Sequence, residues 1–521
     1  METGGVSSYA PYLPERHEIK HKPENAFKPD ITDFVFALIA FALGYLFSRW
    51  VLFFWHGWGV TVFTAAYLLF VTAYMVKKGV FIFSAASWYW FFITLATGIS
   101  YALWENPGFA GIRALFLFCA AVYYIVVASG RTILGKSGNF LLLDGINAVI
   151  IIPFRNLLNQ YVSFSVLRKG EKRSKTFPVV LGIIIAIFLL AILIPLLESA
   201  DSGGFGVILK FFADIFNYRF FEILFYSVFA IPVAAYLYGL ISGAIHKKHT
   251  DFIKPESAKK TSAALRVLQP ATVYIALGAV CGLYIIFILS QTPYFFSAFT
   301  GRRPEGWLIY SEYARRGFFE LCGIAAINLA ILLACNVTGR KRRTESRTMK
   351  MFNIALAVIT LLLIATAFSK MALYIDAYGL TMRRLLPCIL MVFLAVVFMA
   401  LVVLQQKEFS IVRLALVTGT VMLCLLCLSN PDAMVVRYNA ERYINGTLST
   451  FDTEILYRAG SAGVLPAIEV YVRTQDDALK NEIAWYLSTH YRWGDDFGET
   501  HRRSFESQRA GNAARTGNLG P

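Results

Sequence analysis

The chain has 521 residues, of which 57% are hydrophobic and 16% charged, with a mean hydropathy of +0.57 and a formal net charge of +16. Soluble globular chains run at about 45–50% apolar and about 25% charged residues, which excludes an ordinary soluble domain. The basic excess lies beside apolar segments, where anionic lipid headgroups account for it, and this excludes nucleic acid as the partner.

Residues 1–30 are polar and read as a cytoplasmic N-terminal tail leading into an uncleaved anchor. Eleven apolar blocks follow, at 31–54, 58–76, 80–103, 109–129, 177–197, 222–244, 271–290, 317–336, 350–369, 385–404 and 411–429. Each is near the ~20 residues that a helix needs to cross about 30 Å of hydrocarbon. Only helices and closed barrels satisfy their own backbone in lipid, so the expected fold is all-α: a polytopic transmembrane bundle over 31–429.

Lysine and arginine set the expected orientation. With the N-terminus inside, the inner loops hold Lys77-Lys78, the 168–175 run, the 247–260 stretch and the 340–350 run. That gives roughly 27 basic residues inside against roughly 9 outside, a bias that predicts N-in/C-out. Residues 139–167 are apolar but carry Asp144, Asn147, Pro153, Arg155, Asn156, Asn159 and Gln160. Several polar groups at membrane depth are costly, so the stretch reads as an interfacial or re-entrant pair of short helices on the cytoplasmic side. If it spanned, everything after it would reverse.

All seven cysteines fall within the apolar blocks, and the histidines are scattered. Neither a metal-binding spacing nor a phosphate-binding glycine loop is present, so no metal and no cofactor is expected. The chemistry gathers in three motifs that the topology puts at the outer ends of the later helices. The first, Tyr310 to Glu320, sets Glu312, Arg315, Arg316 and Glu320 at helical spacing on one face. The second, Lys370 to Arg384, contains Lys370, Tyr374, Asp376, Tyr378 and Arg383 around a Tyr-Gly-Leu-Thr turn with Thr381 placed to cap the next helix. The third, Asn430 to Asn439, carries Asp432, Arg437, Tyr438 and Asn439 behind a helix-ending proline. Taken singly, each motif reads as interfacial anchoring. Together they form either an ion-paired structural network or an extracytoplasmic polar pocket.

These motifs resemble a family of bacterial polytopic membrane proteins known as domain of unknown function 4173 / 4153. The matching stretches are Glu312 to Leu321, Lys370 to Arg383 and Asn430 to Tyr443, within a resemblance that covers about 270–510. In the tail this chain has Arg502-Arg-Ser-Phe-Glu506 where the family pattern holds a tryptophan and an asparagine. The resemblance implies a bacterial cytoplasmic membrane but no activity.

Beyond residue 430 there are 12 acidic and 10 basic residues and no spanning block. Residues 430–507 read as a small extracytoplasmic helical module, with helices over 452–459, 462–472 and 475–490 and a cap at Thr474 ahead of Asp477. Residues 508–521 are rich in glycine, asparagine and alanine and read as a disordered tail. Three functions are open. In order of preference they are a transporter or transport-accessory protein with an outer polar site, a sensor or scaffold that binds a protein partner through the module, and an enzyme acting on envelope lipid or glycan. Membrane lipids are the one partner the composition itself requires.

Overall fold

The computed structural model describes residues 27–53, 56–133, 138, 140–167, 218–247, 255–300, 318–340, 345–495 and 503–516, with isolated positions between 182 and 197. Among these residues every regular element is helical. In chain order they are α1 (Ile31–Phe47), α2 (Trp58–Lys77), α3 (Ala85–Leu103), α4 (Ala110–Ala128), α5 (Leu141–Arg155), α6 (Asn159–Val166), α7 (Tyr218–Ile245), α8 (Pro255–Ala264), α9 (Pro270–Thr300), α10 (Phe318–Thr338), α11 (Arg347–Tyr378), α12 (Met382–Leu404) and α13 (Ile411–Leu428). The last five are α14 (Pro431–Ile444), α15 (Glu454–Ala459), α16 (Val464–Arg473), α17 (Asp477–Asp495) and α18 (Phe505–Thr516). The chain is a multi-pass membrane protein: nine helices among the described residues are long and apolar enough to cross a bilayer.

Two of the eleven expected spans are not among the nine. The block 177–197 lies mostly outside the described residues. α3 is helical but less apolar, because its inward face carries Thr94, Thr97 and Ser100. Each of those hydroxyls donates to a carbonyl three or four residues back, at 2.6–2.8 Å, so the polar face is buried with its hydrogen bonds made.

The helices pack around two apolar cores. One is built from α1, α2, α3, α4 and α7 with the C-terminal part of α13, the other from α9, α10, α11 and α12. Small residues bring α1 and α7 close: a Cβ on Gly44 would sit 2.6 Å from the carbonyl oxygen of Ala230. α13 joins the two halves, since it packs on both α3 and α12.

Two ends of the bundle can be told apart by their contacts. At the module end, Trp104 Nε1 donates to the Leu428 carbonyl at 2.9 Å and the Trp58 N–H to the Arg503 carbonyl at 3.2 Å. At the opposite end Asp33, in the first turn of α1, is buried and meets three partners. Lys78 Nζ lies 2.8 Å from its carboxylate, His246 Nε2 3.0 Å and the Tyr74 hydroxyl 2.5 Å. The N-terminus of α1 is thereby tied to the C-termini of α2 and α7, and burial strengthens the attraction because water is excluded.

α5 and α6 meet at a 50° bend. Both of their free ends contact the Asp33 end of the bundle. Asp144 accepts from the Ile133 N–H at 2.7 Å, just past α4, and the Phe164 ring lies 5.9 Å from Phe34. Between those ends the pair packs on α7 where Gly239 and Gly243 leave room: a Cβ on Gly239 would sit 2.6 Å from the Pro153 carbonyl oxygen.

The tail corrects two readings. Residues 505–516 form α18, whose Ala510 and Ala514 are buried in the module core, so the boundary expected at 508 falls inside a helix. Compact alanines at helical spacing fit against a neighbour where larger side chains would not. Asp476, rather than Thr474, caps α17, accepting from the Ala478 N–H at 2.9 Å and the Leu479 N–H at 3.3 Å.

Lys78→Met is expected to lower the thermal midpoint in detergent by an amount equivalent to about 1–3 kcal/mol, because it strips charge compensation from a buried carboxylate. Lys77→Met, at the exposed neighbouring position, is expected to change nothing. Equal effects of the two would remove the special role assigned to the Asp33 cluster.

Candidate functional site

Three of the expected site residues, Glu312, Arg315 and Arg316, lie outside the described residues. The others fall into three groups. Glu320 is exposed near the start of α10, and its charge acts on the half-buried ammonium of Lys370 on α11. A second group surrounds the α11–α12 turn. Arg384 lies over the Tyr374 ring at 4.1 Å and donates to the Tyr378 carbonyl at 2.9 Å, while Arg383 beside it is exposed. Buried Asn439 holds the turn from α14, accepting from the Leu380 N–H and donating to the Leu380 carbonyl, both at 2.7 Å. Gly379 permits that approach, at a φ of 76°. Thr381 occupies the cap position of α12, but its side chain makes no cap hydrogen bond. Asp376 pairs with Arg442 at 3.1 Å and Arg437 with Glu441 at 2.7 Å, both pairs with an exposed partner, and Tyr438 lies under Arg442 at 5.7 Å. Exposed pairs of this kind contribute little, typically ~0–1 kcal/mol.

Asp432 belongs to the third and most buried group. Two asparagine-proline turns face one another at the module end. Asn106 and Asn430 both adopt left-handed backbone conformations (φ 47° and 53°), each followed by a proline that starts a helical turn. Asparagine tolerates this region better than most residues, and the proline supplies the φ of a first helical position. The turns interlock through carboxylates. Asp432 Oδ2 accepts from the Gly108 N–H at 3.0 Å, and Glu506 Oε2 from the Glu105 N–H at 3.1 Å. Glu105 Oε2 in turn accepts from the Ser461 N–H at 3.2 Å, and the Asn430 amide donates to Glu506 Oε1. The 104–109 loop and the module thus exchange carboxylates for backbone N–H groups in both directions. Gly108 is required by the approach: a Cβ there would sit 2.5 Å from Asp432 Oδ1.

Beneath this junction lies Arg113, fully buried on α4. It donates to the carbonyls of Ser100, Trp104 and Glu105 at 3.4, 3.0 and 2.5 Å and stacks on Tyr101 at 3.9 Å. The guanidinium therefore satisfies carbonyls that the end of α3 leaves open. Asn106 is equally buried, and neither polar atom of its side chain has a hydrogen-bond partner among the described residues. A buried amide left so costs about 1–3 kcal/mol.

Burial dominates the electrostatics. It pushes Asp432 up to about 6 even though the Gly108 N–H and Arg113 favour the anion. Glu506 rises to about 7, again through burial, with the negative charges of Glu105 and Asp432 adding to the effect. The Tyr486 hydroxyl, which donates to the Gly460 carbonyl at 2.5 Å, is held neutral by burial and by the neighbouring Glu105 and Glu506. Two carboxyls that gain protons near neutrality form a site that can change charge without leaving its seat.

Of the ten described residues among the thirteen named from the sequence, only Asp432 enters this junction. Glu105, Asn106, Arg113, Ser461, Tyr486 and Glu506 were missed. Two signals were available: Glu105-Asn-Pro-Gly108 repeats the asparagine-proline pattern of Asn430 to Asp432, and Arg113 is a charge within an apolar block, which needs a partner.

The pH dependence follows from the raised carboxyls. The docked module binds more protons than the undocked one between about pH 4 and 7, so its stability falls as pH rises through about 6 and about 7. The thermal midpoint in detergent is therefore expected to be higher at pH 5.5 than at pH 8. The pair Asp432→Asn with Glu506→Gln is expected to flatten that slope; a wild-type midpoint constant over the range would contradict it.

A family model described as "Domain of unknown function (DUF4153)" matches residues 91–470. The match begins well upstream of the stretch expected from the motifs, taking in the 104–109 loop, and ends before α18. It supports number 4153 of the two family numbers and leaves 4173 unsupported. No curated protein and no solved structure matches the chain. With well over half of its length matched, the chain belongs to the family of domain of unknown function 4153.

Proposed function

We propose that the chain is a transport or transport-accessory protein of a bacterial cytoplasmic membrane, with its module on the outer face acting as a proton-sensitive cap on the bundle. The observation that carries the reading is the exchange of carboxylates and N–H groups between the 104–109 loop and Asp432, Ser461 and Glu506. A merely structural lid would be held more cheaply by apolar contact. Titratable groups buried at the mouth of a bundle suit an element that must release and reseat as protonation changes. The charge bias of the loops supports the outward placement, and the contacts of α5 and α6 at the Asp33 end support a re-entrant pair that leaves the later helices in the expected direction.

Solutes in medium, envelope and cytosol would be compared between wild-type cells, a deletion strain and the Asp432→Asn/Glu506→Gln pair. The expected result is that both altered strains redistribute the same species across the membrane at unchanged protein abundance; a deletion that redistributes nothing defeats the transport reading. A Thr381→Cys variant is expected to react with an impermeant reagent from outside intact cells, and reaction from the cytoplasmic side alone would reverse the orientation.

A specific observation favours a second reading, a scaffold that binds a protein partner. The module leaves Val472 74%, Trp485 69% and Tyr457 47% exposed. Large apolar residues on a small helical surface are typical of contact sites. A photocrosslinker at position 485 in living cells is expected to give one discrete adduct that Val472→Asp abolishes, and a diffuse pattern unaffected by that change would argue against it.

A further inference from the structure

A cavity of about 880 Å³ opens within the first half of the bundle, between α1, α2, α4, α7 and the bent pair α5–α6. Phe47, Phe63, Leu117, Phe154, Leu158 and Ile231 are among the side chains that line it. Its volume falls within the ~300–1,000 Å³ usual for small-molecule sites, but those sites carry a few convergent polar groups. Here three of the four hydroxyl side chains in the lining are turned to other uses. Thr64 donates to the Val60 carbonyl at 2.7 Å, Tyr67 to the Ala121 carbonyl at 2.9 Å and Tyr236 to the Val149 carbonyl at 3.0 Å. With those protons committed, the walls select an apolar occupant.

Shape and depth narrow the choice. On α7 the lining runs from Val228 to Leu240, a rise of roughly 18 Å, somewhat more than half of the ~30 Å hydrocarbon core. On α2 it includes Tyr67, roughly 14 Å along the axis from Trp58 and so near the middle of the span. The space is long, apolar and at hydrocarbon depth. On its hairpin side Ile150, Phe154 and Leu158 are all more than half exposed, which gives it a lipid-facing rim. Apolar cavities of this kind do not hold water.

We propose that this cavity binds one acyl chain of a bilayer phospholipid, which leans in past the α5–α6 pair. The fit is to the chain alone; the headgroup stays at the membrane surface. The inference stands apart from the transport reading, because a protein that moves nothing can still hold a lipid chain here.

The test uses the full chain in nanodiscs of dioleoyl phosphatidylethanolamine and phosphatidylglycerol, released into native mass spectrometry. One phospholipid is expected to remain per chain, and Ala121→Phe or Leu158→Trp, each placing bulk in the cavity, to lower that retention at least tenfold. Retention that survives both substitutions in folded protein overturns the proposal. So does a retained fatty acid or isoprenoid in place of the phospholipid. A phospholipid with a diazirine at mid-chain supplies a readout on the wild type: adducts within 149–161 and 228–240 are expected, and adducts confined to other segments overturn the proposal even where the variants fail to fold.

Discussion

Inside a hydrocarbon layer a backbone polar group has only the chain itself to bond with, and the helix ends are where that requirement is hardest to meet. The module end of this protein is organised around it. Arg113 sends its guanidinium to three carbonyls at the close of α3, while Asp432 and Glu506 accept the N–H groups of Gly108 and Glu105 in the loop that follows. One loop of six residues thus has its carbonyls met from below by a cation and its N–H groups met from above by anions. The module is held because it supplies the second half of that arrangement.

The opposite end solves a similar problem differently. There Asp30 and Asp33 cap the N-terminus of α1 through their own side chains, and Asp33 then recruits Lys78, His246 and Tyr74 from two other helices. Charge is well compensated at this end. At the module end Asp432 is buried and Glu506 half-buried, with sparing compensation, which is why their proton affinity rises. A bundle with one end firmly ion-paired and the other poised near neutrality has a built-in direction, and the proposed outer cap uses it. The apolar cavity lies between these ends.

Comparison of the two sets of polar residues shows what sequence spacing can and cannot convey. The motif from Lys370 to Arg384 was legible because its residues are neighbours in the chain, and Asn439 and Arg442 do close on it from α14. Yet two of its four charged groups, Asp376 and Arg383, are exposed, where water already satisfies them. The buried junction joins residues more than 300 positions apart, such as Glu105 with Ser461 and Gly108 with Asp432. No local period reports that proximity. Glu506 stands in a polar stretch of the tail, and it is the packing of α18 into the module that half-buries it.

By itself the sequence determined the solvent and the class of fold. Blocks of about 20 apolar residues leave the backbone no economical alternative to helices in a membrane, and the charge of the loops biases how they thread it. It also marked residues 139–167 as too polar for a plain span. Tertiary structure decided which polar residues matter, because burial and not residue type sets the cost of a charge. It decided as well that α18 belongs to the module, that Gly44 and Gly239 are points of close backbone approach while Gly108 admits the Asp432 carboxylate, and that an elongated apolar space remains among α1, α2, α4 and α7. Those are properties of surfaces brought together from distant parts of the chain, and a linear pattern contains no measure of the gap between them.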